Sequence, residues 1–260
     1  VNDEWTGVAD MNTERYVHGV TVLNGFIYVV GGKNNNGDIL NSVERYNPDT
    51  NKWTDVAPLN IKRHAHGVTV LNGFIYAMGG IDDHGAILNS VEMYDPDTNT
   101  WTFVYDMTTG RYNHGVVSVT QTMDITHNKI HNDYIGIEYT YDSIIPLQNN
   151  GNVSNGKISL GTTDNKWKEI NANSVLLSHA TVIYAVGGQS NTARLNSVER
   201  YNPVNNTWTP VANMKTERYG PGVTVLNGFI YAVGGFNGNR LKSVERYNPV
   251  NNTWTHVADM

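Results

Sequence analysis

The stretch that decides the fold is His18–Tyr28, which reads HGVTVLNGFIY and returns letter for letter at His66–Tyr76. The chain repeats it again, without the His, at Gly222–Tyr231. In all three copies an Asn-Gly dipeptide separates two runs that are rich in β-branched and aromatic residues. Asn-Gly favours a type I′ hairpin turn, because both residues can adopt positive φ. The stretch therefore predicts a β-hairpin that recurs along the chain.

Further motifs recur in register with this hairpin. A Gly-Gly doublet follows at 31–32, 79–80, 187–188 and 234–235, and the block SVERYNP occurs at 42–48, 197–203 and 243–249, with SVEMYDP at 90–96. A Trp closes each unit: Trp5, Trp53, Trp101, Trp167, Trp208 and Trp254. The Asn-Pro or Asp-Pro that ends the block indicates a second hairpin turn. Each unit of about 47 residues thus predicts four antiparallel strands, here called a, b, c and d, which is the pattern of a β-propeller blade.

The doublet, the Tyr of the SVERYNP block, the closing Trp and the Arg that opens the next unit resemble the kelch repeat. The resemblance implies an all-β protein, a β-propeller of four-stranded antiparallel blades with one repeat per blade. We predict one domain of five kelch-type units, at about 12–59, 60–107, 108–170, 171–214 and 215–260, with residues 1–11 as a surplus outer strand. Five blades could close into a ring, or the chain could be a slice of a longer propeller.

The third unit is divergent, since it keeps its opening RYNHG at 111–115 and its closing Trp but lacks the doublet and the SVERYNP block. From its end into the next unit, residues 157–175 read KISLGTTDNKWKEINANSV and resemble a short module of bacteriophage tail-fibre and tailspike proteins. The alternative is a kelch blade whose sequence has drifted. The resemblance implies a phage or bacterial surface protein, so we expect a virion or cell-surface location, with a cytoplasmic location as the alternative.

Composition excludes several classes of site and partner. The chain has no cysteine, which excludes disulfides, thiolate metal sites and cysteine nucleophiles. Its formal net charge of −6 at pH 7 argues against a nucleic-acid partner. No apolar run is long enough to cross a bilayer, so we predict no membrane span.

Strand direction alternates along each unit, so the b–c and d–a loops are predicted to lie on the same face. Variable polar loops on a repeated frame are where binding sites are usually found. The d–a loops deliver four pairs of candidate ligand-binding residues: Arg15 and Tyr16, Arg63 and His64, Arg111 and Tyr112, Arg218 and Tyr219. The b–c loops contribute Asn35, Asp82 and Asn237. Guanidinium groups bind carboxylate or phosphate in a fork, and Tyr rings offer a stacking surface.

The same residues also have structural interpretations. The arginines could instead pair with carboxylates of the blades, which are Glu44, Glu92, Glu199 and Glu245. The His of each unit (His18, His66, His114 and His179) could surround the axis and hold a metal ion, but Pro221 replaces it in the last unit. We therefore predict no metal and no cofactor.

No carboxylate departs from the repeat as a catalytic acid would, so we predict that the protein is not an enzyme. Copper radical oxidases with kelch propellers need a Tyr–Cys cross-link, which this chain cannot form. A sugar mutarotase-like enzyme is the remaining enzymatic alternative.

The predicted function is a non-enzymatic binding module that recognises a receptor or host surface, through glycan or wall polymer, as part of a phage fibre or bacterial surface protein. The alternative is a protein–protein interaction scaffold that binds an acidic peptide on an Arg-lined face. The expected partner is thus a protein or a glycan, and a trimeric fibre is one expected context.

Overall fold

The computed structural model of the chain describes residues 4–121 and 180–260, and the structural statements below concern these residues. Of these, residues 4–121 and 181–260 belong to one compact unit. The described strands form four antiparallel sheets of four strands each. In this part of the chain no helix is long and apolar enough to cross a membrane.

Each sheet is called a blade here, and its strands follow one another in order along the chain. Blade 1 consists of β1 (Gly19–Leu23), β2 (Phe26–Lys33), β3 (Ile39–Asn47) and β4 (Lys52–Val56). Blade 2 consists of β5 (Gly67–Leu71), β6 (Phe74–Met78), β7 (Val91–Asp95) and β8 (Thr100–Val104). Blade 3 consists of β9 (Gly115–Gln121), β10 (Ala180–Val186), β11 (Val198–Asn202) and β12 (Thr207–Val211). Blade 4 consists of β13 (Gly222–Leu226), β14 (Phe229–Val233), β15 (Val244–Asn248) and β16 (Thr253–Val257).

The hairpin predicted from the repeated stretch is confirmed. Leu23 pairs with Phe26 across a two-residue turn. Both turn residues have positive φ, 52° at Asn24 and 82° at Gly25, which a type I′ turn requires. The all-β class and the four-stranded kelch-type blade are therefore as the sequence predicts, and the arrangement is consistent with a β-propeller.

The prediction of five units is not confirmed, because the described residues form four blades. β9, from the predicted unit 108–170, lies in one sheet with β10, from the predicted unit 171–214. Gly31 follows His18 by thirteen positions, and strands a and b lie between them. Gly187 follows His179 by only eight positions. The later segment has room for one strand, so β9 supplies the other. The intervening residues 122–179, with the segment 157–175, lie outside the described residues.

The surplus outer strand predicted for residues 1–11 is not observed where these residues are described. Residues 4–11 form no strand, and Trp5 is fully exposed. Each outer strand pairs with the strand c that precedes it, as β4 pairs with β3, and the described residues include no strand c before residues 4–8. The segment is held at Ala9, whose N–H donates to Asn51 Oδ1 and whose carbonyl accepts from Trp53 Nε1, each at 2.8 Å.

The apolar core lies between the blades. The inner strands contact one another in the order β1, β5, β9, β13, and each of three buried clusters combines residues of two successive blades. One pair of Tyr rings meets at each junction: Tyr28 and Tyr94 at 5.9 Å, Tyr76 and Tyr201 at 5.7 Å, and Tyr184 and Tyr247 at 5.7 Å between centroids. Each blade therefore depends on its neighbours to bury its face.

The glycine that begins each inner strand allows the blades to approach closely. A Cβ added to Gly67 would lie 2.1 Å from Val116 Cγ2 of blade 3, which no real Cβ tolerates. Gly222 begins the inner strand of blade 4, where the described residues contain no following blade, and its nearest neighbouring atom would lie at 3.8 Å. The glycine at the start of the inner strand is thus closely surrounded at Gly67 and has open space beside it at Gly222.

We expect Gly67→Ala to lower the free energy of unfolding by about 1–3 kcal/mol, because the added methyl group overpacks the junction between blades 2 and 3. The matched control is Gly222→Ala, which should stay within about 0.5 kcal/mol of the wild type. Urea denaturation of the dilute protein measures both. Equal destabilisation by the two variants would contradict this description of the junctions.

Candidate functional site

The d–a and b–c loops lie on the same face of the blades, as the alternation of strands predicts. Backbone bridges join one loop of each kind in every blade: Tyr16 to Lys33, His64 to Ile81, Tyr112 to Gln189, and Tyr219 to Phe236. In blade 1 the bridge consists of two hydrogen bonds of 2.9 Å, one from each backbone N–H to the other residue's carbonyl. The paired loops, called the loop face here, form the candidate site.

The four arginines of the d–a loops do not point into this site. All four are buried, and each guanidinium forms an ion pair with the strand-c carboxylate of its own blade. The N–O distances are 2.5 Å for Arg15–Glu44, 2.7 Å for Arg63–Glu92, 2.5 Å for Arg111–Glu199 and 3.1 Å for Arg218–Glu245. The structural interpretation of these arginines is therefore confirmed.

The blade also occupies both terminal nitrogens of each guanidinium, as Arg63 illustrates. Its Nη1 donates to the carbonyls of Gly79 and Ser90 at 2.9 and 3.1 Å, and its Nη2 donates to Ser90 Oγ at 3.2 Å. Burial lowers the pKa of the Arg63 guanidinium, and the facing Glu92 carboxylate opposes that shift. The fork that could bind a ligand is thus occupied within the protein.

The carboxylate of each pair also fixes the loop that carries the arginine. Glu92 accepts hydrogen bonds from the backbone N–H groups of Asn60 and Ile61 at 2.7 and 3.2 Å. Glu44, Glu199 and Glu245 hold the corresponding loops in the same way. The sequence-based assignment of Arg15, Arg63, Arg111 and Arg218 to ligand binding therefore needs correction, since their role is to attach the d–a loops to the blades.

The residue after each arginine is the part of the pair that stays accessible. Tyr16 is 52% exposed, while Tyr112 and Tyr219 are half-buried against each other, edge to face, with centroids 5.7 Å apart. Asn113 Nδ2 donates to the hydroxyl of Tyr219 at 2.5 Å, which fixes this pair of rings. The structure thus brings two of the predicted tyrosines together and leaves Tyr16 apart from them.

His64 differs from the tyrosines because it is buried. Its Nδ1 lies 2.9 Å from the carbonyl oxygen of Ile81. A carbonyl can only accept, so this nitrogen carries the hydrogen. Burial lowers the pKa of His64, and the ring contributes to the attachment of the loop.

Of the polar residues predicted to bind a ligand in the b–c loops, one is free to do so and two stabilise their own loops. Asn35 is exposed, and its side chain forms no hydrogen bond within the described residues, so its amide is available to a ligand. Asp82 Oδ1 accepts from the backbone N–H groups of His84 and Ala86 at 2.9 and 2.8 Å. Asn237 Oδ1 accepts from Asn239 N at 3.3 Å. The latter two side chains therefore shape their loops, in the manner of Asx turns.

Two features of this region escaped the analysis of the sequence. The guanidinium of Arg194 lies 4.9 Å above the ring of Phe236, so the b–c loops of blades 3 and 4 are joined by a cation–π contact on the loop face. Phe103 on the outer strand β8 and Tyr105 at the start of the d–a loop that follows it are both more than half exposed. Blade 1 has Asp55 and Ala57 at those positions, so comparison between units could have revealed the aromatic pair.

The histidines near the inner strands pack between blades. A Cβ on Gly31 would lie 3.0 Å from Cε1 of His66, and one on Gly79 would lie 3.0 Å from Cε1 of His114. In the described part of the chain neither ring has a hydrogen-bond partner at either nitrogen. Burial holds the pKa of His66 well below 6.5 and lowers that of His114 to about 3.

No group of three or more His, Asp or Glu side chains within residues 4–121 and 180–260 is placed to hold a metal ion. His179 lies outside these residues. His66 and His114 fill the space that Gly31 and Gly79 of the preceding blade leave open.

We expect Arg63→Met to lower the free energy of unfolding by about 3–5 kcal/mol, because Glu92 is then left buried without its counter-charge. Lys62→Ala is the control from the adjacent position: Lys62 pairs at 3.1 Å with Asp83 on the surface, so its removal should leave the denaturation midpoint almost unchanged. Chemical denaturation distinguishes the two. A stable, folded Arg63→Met protein would show that the pair is not what holds the loop.

Acidification should destabilise the protein through His66 and His114. Both stay neutral in the fold while their unfolded counterparts bind protons below about pH 6.5, so stability is complete above that pH and falls as the pH decreases. The fall for His114 amounts to about 1.4 kcal/mol per pH unit until its folded pKa is reached. Urea denaturation at pH 7 and pH 5 should therefore show a smaller acid loss in His114→Gln than in the wild type; an equal loss would contradict the assignment.

With this geometry described, the chain can be compared with known proteins. At 46% identity over 61 residues, it resembles Kelch-like ECH-associated protein 1B of Danio rerio, a match that covers 22% of the chain and 10% of that protein. It is 48% identical over 46 residues to Beta-scruin of Limulus polyphemus, covering 18% of the chain and 5% of that protein. The chain thus spans a tenth or less of the length of these relatives.

The solved structure of YjhT shares the fold. The TM-score is 0.66 at 15% sequence identity, and the alignment covers 99% of this chain and 74% of that one. The Kelch motif model matches four segments of the sequence, at residues 14–60, 62–108, 170–215 and 217–260. Since these segments make up most of its length, the chain belongs to the kelch-repeat family.

Proposed function

We propose that this protein is a non-enzymatic binding module whose loop face holds a segment of a partner protein. The observation that carries the proposal is the contrast on that face. The four arginines of its d–a loops form ion pairs inside the fold. Tyr16, the Tyr112–Tyr219 pair and the Arg194–Phe236 pair remain at the surface. Tyr, Phe and Arg are the residue types that dominate protein-binding surfaces.

The rigidity of the loop face supports this proposal. Buried ion pairs and backbone bridges hold every described d–a loop, so its aromatic side chains are presented with little conformational freedom to lose on binding. Such preorganisation strengthens binding without additional contact area. One relative is named for its association with ECH, and the same kind of role is proposed for this chain.

The arginines of the d–a loops are buried, so an acidic peptide would have to form ion pairs with other cationic side chains of the loop face. Lys33 ends strand b of blade 1, Arg194 and Arg240 lie in the b–c loops of blades 3 and 4, and none of the three is buried. An acidic segment would pair with these side chains and lay its apolar groups against Tyr16 or Phe236. The proposed ligand is therefore an acidic, partly aromatic peptide.

A glycan is the second candidate, and the composition of the b–c loops favours it. Exposed or half-exposed amides lie in the b–c loops of blades 1 and 4, at Asn34, Asn35, Asn36, Asn237 and Asn239. Side-chain amides can both donate to and accept from hydroxyl groups. Recognition of a host-surface or wall glycan by a phage fibre or bacterial surface protein belongs to this second candidate.

Peptide and glycan arrays probed with the whole chain decide between the two ligands, and calorimetry with the best-bound compound then tests the face. We expect Tyr16→Ala and Arg194→Ala each to weaken binding at least about ten-fold, since both remove accessible contact groups.

Phe103→Ala is the matched control, because Phe103 is an equally exposed aromatic residue that belongs to the outer strand β8 and to neither kind of loop. It should bind as the wild type does. Unaltered binding by both loop-face variants, or loss of binding in the control, would refute the assignment of the site.

A further inference from the structure

We propose that the outer edge of blade 2 carries a second binding site, which takes a Lys or Arg side chain from a basic segment of a partner protein. The site is an open pocket of about 480 Å³, called the rim pocket here, and it is lined by Phe103, Val104, Tyr105, Asp106 and Asn206. Its volume lies in the range of clefts that bind small ligands. None of the residues assigned to the loop-face function lines this pocket, so the proposal is independent of that function.

Two aromatic residues of the rim pocket distinguish blade 2 from the other described blades. The position of Phe103 is occupied elsewhere by Asp55, Pro210 and His256, and the position of Tyr105 by Ala57, Ala212 and Ala258. The packing of a blade therefore requires an aromatic residue at neither position. Phe103 is 55% exposed and Tyr105 is 63% exposed, so both side chains are accessible to a partner.

The backbone of the pocket is already engaged, so recognition depends on its side chains. Tyr105 N–H donates to Asn206 Oδ1 at 3.3 Å, and the Tyr105 carbonyl accepts from Trp208 Nε1 at 2.9 Å. Asn206 Oδ1 also accepts from the hydroxyl of Tyr201 at 2.8 Å. Val104 packs against the buried cluster that joins blades 2 and 3. The pocket thus belongs to an internal junction, and its frame is fixed before a ligand arrives.

The carboxylate of Asp106 gives the rim pocket its charge. Asp106 is exposed, and within the described residues it forms no hydrogen bond and no ion pair. The equivalent residue of blade 4, Asp259, pairs with Lys242 of the same blade at 3.4 Å. Blade 2 has Asn89 at the position of that lysine. Blade 4 therefore supplies a cation to its own carboxylate, whereas the carboxylate of blade 2 is available to a cation from outside.

Aromatic rings beside a carboxylate favour an organic cation as the ligand. A guanidinium or ammonium group is attracted to the face of an aromatic ring, and Asp106 adds the counter-charge. The methylene groups of Lys and Arg side chains can also cover apolar surface while the charged group stays in water. The formal net charge of the chain, −6 at pH 7, attracts a basic segment further. An acidic segment, as proposed for the loop face, would be repelled by Asp106.

Fluorescence anisotropy with the whole chain tests the proposal. The probe is a labelled, end-capped Gly-Ser peptide that carries a pair of Arg residues, and the reference peptide has Gln in their place. We expect saturable binding of the Arg peptide and of its Lys counterpart, and binding of the Gln peptide that is weaker by at least about five-fold. Equal binding of the Arg and Gln peptides, or no binding of either cationic peptide, overturns the proposal.

Substitutions taken from the other blades test the pocket without endangering the fold. Tyr105→Ala introduces the residue that the three other blades carry there, and Asp106→Asn introduces the residue of blade 3, Asn213. Each should weaken binding of the Arg peptide about two- to five-fold, and the double variant should weaken it about ten-fold.

The matched control for charge is Asp97→Asn, which removes the same charge from an exposed residue that precedes β8, whereas Asp106 follows it. This variant should bind the Arg peptide as the wild type does. If Asp97→Asn weakened binding as much as Asp106→Asn, the overall charge alone would attract the peptide, and the pocket would be refuted.

Exchanging the variants between the two ligands distinguishes the rim pocket from the loop face. Phe103→Ala, the control for the loop-face ligand, should here weaken binding of the Arg peptide about two- to five-fold. Tyr16→Ala, which removes a loop-face contact, should leave binding of the Arg peptide unchanged. Equal weakening by the two variants would contradict a separate site in blade 2. Unfolding curves of all variants confirm that each is folded.

Discussion

The interaction on which the rest of the structure depends is the buried ion pair between a d–a loop arginine and a strand-c glutamate. Each pair places one positive and one negative charge in the interior. This is tolerable only when further hydrogen bonds engage the donors of the guanidinium and the oxygens of the carboxylate. The blade supplies these from the carbonyls and hydroxyl beside Arg63, and the loop supplies them from the N–H groups facing Glu92. The pair therefore fixes the path of the chain from one blade to the next.

That path determines what the loop face can present. Because the guanidinium groups are drawn into the blades, the neighbouring residues, among them Tyr16 and Tyr112, remain at the surface in set positions. The backbone at Val17, Ala65 and Asn113 adopts positive φ, between 47° and 54°, which lets these residues link one blade to the next. The local strain of such a conformation is offset by hydrogen bonds that only the assembled blades provide.

The arginines of the d–a loops are buried and the tyrosines beside them stay accessible, which the sequence alone could not decide. An Arg followed by Tyr or His at the head of each inner strand indicates a polar cluster near the axis, and the spacing to Glu44 and its counterparts was enough to suggest an internal ion pair. The choice between ligand and carboxylate depends on burial, which residues far apart in the chain create together. Likewise, the eight positions between His179 and Gly187 left too little room for strands a and b, a signal that was available but outweighed by the count of closing tryptophans.

The sequence by itself determined the class and the unit of the fold: hairpins with Asn-Gly turns, four strands per unit, and loops of two kinds gathered on one face. These are local properties, because turn chemistry and alternation act over a few residues. Only the tertiary structure decided that β9 completes the sheet of β10, that residues 4–11 form no strand, and that Leu226 lies exposed while its counterpart Leu71 is buried. The physical reason is that identical repeats have identical local preferences, so their environments differ only through the neighbours that packing supplies.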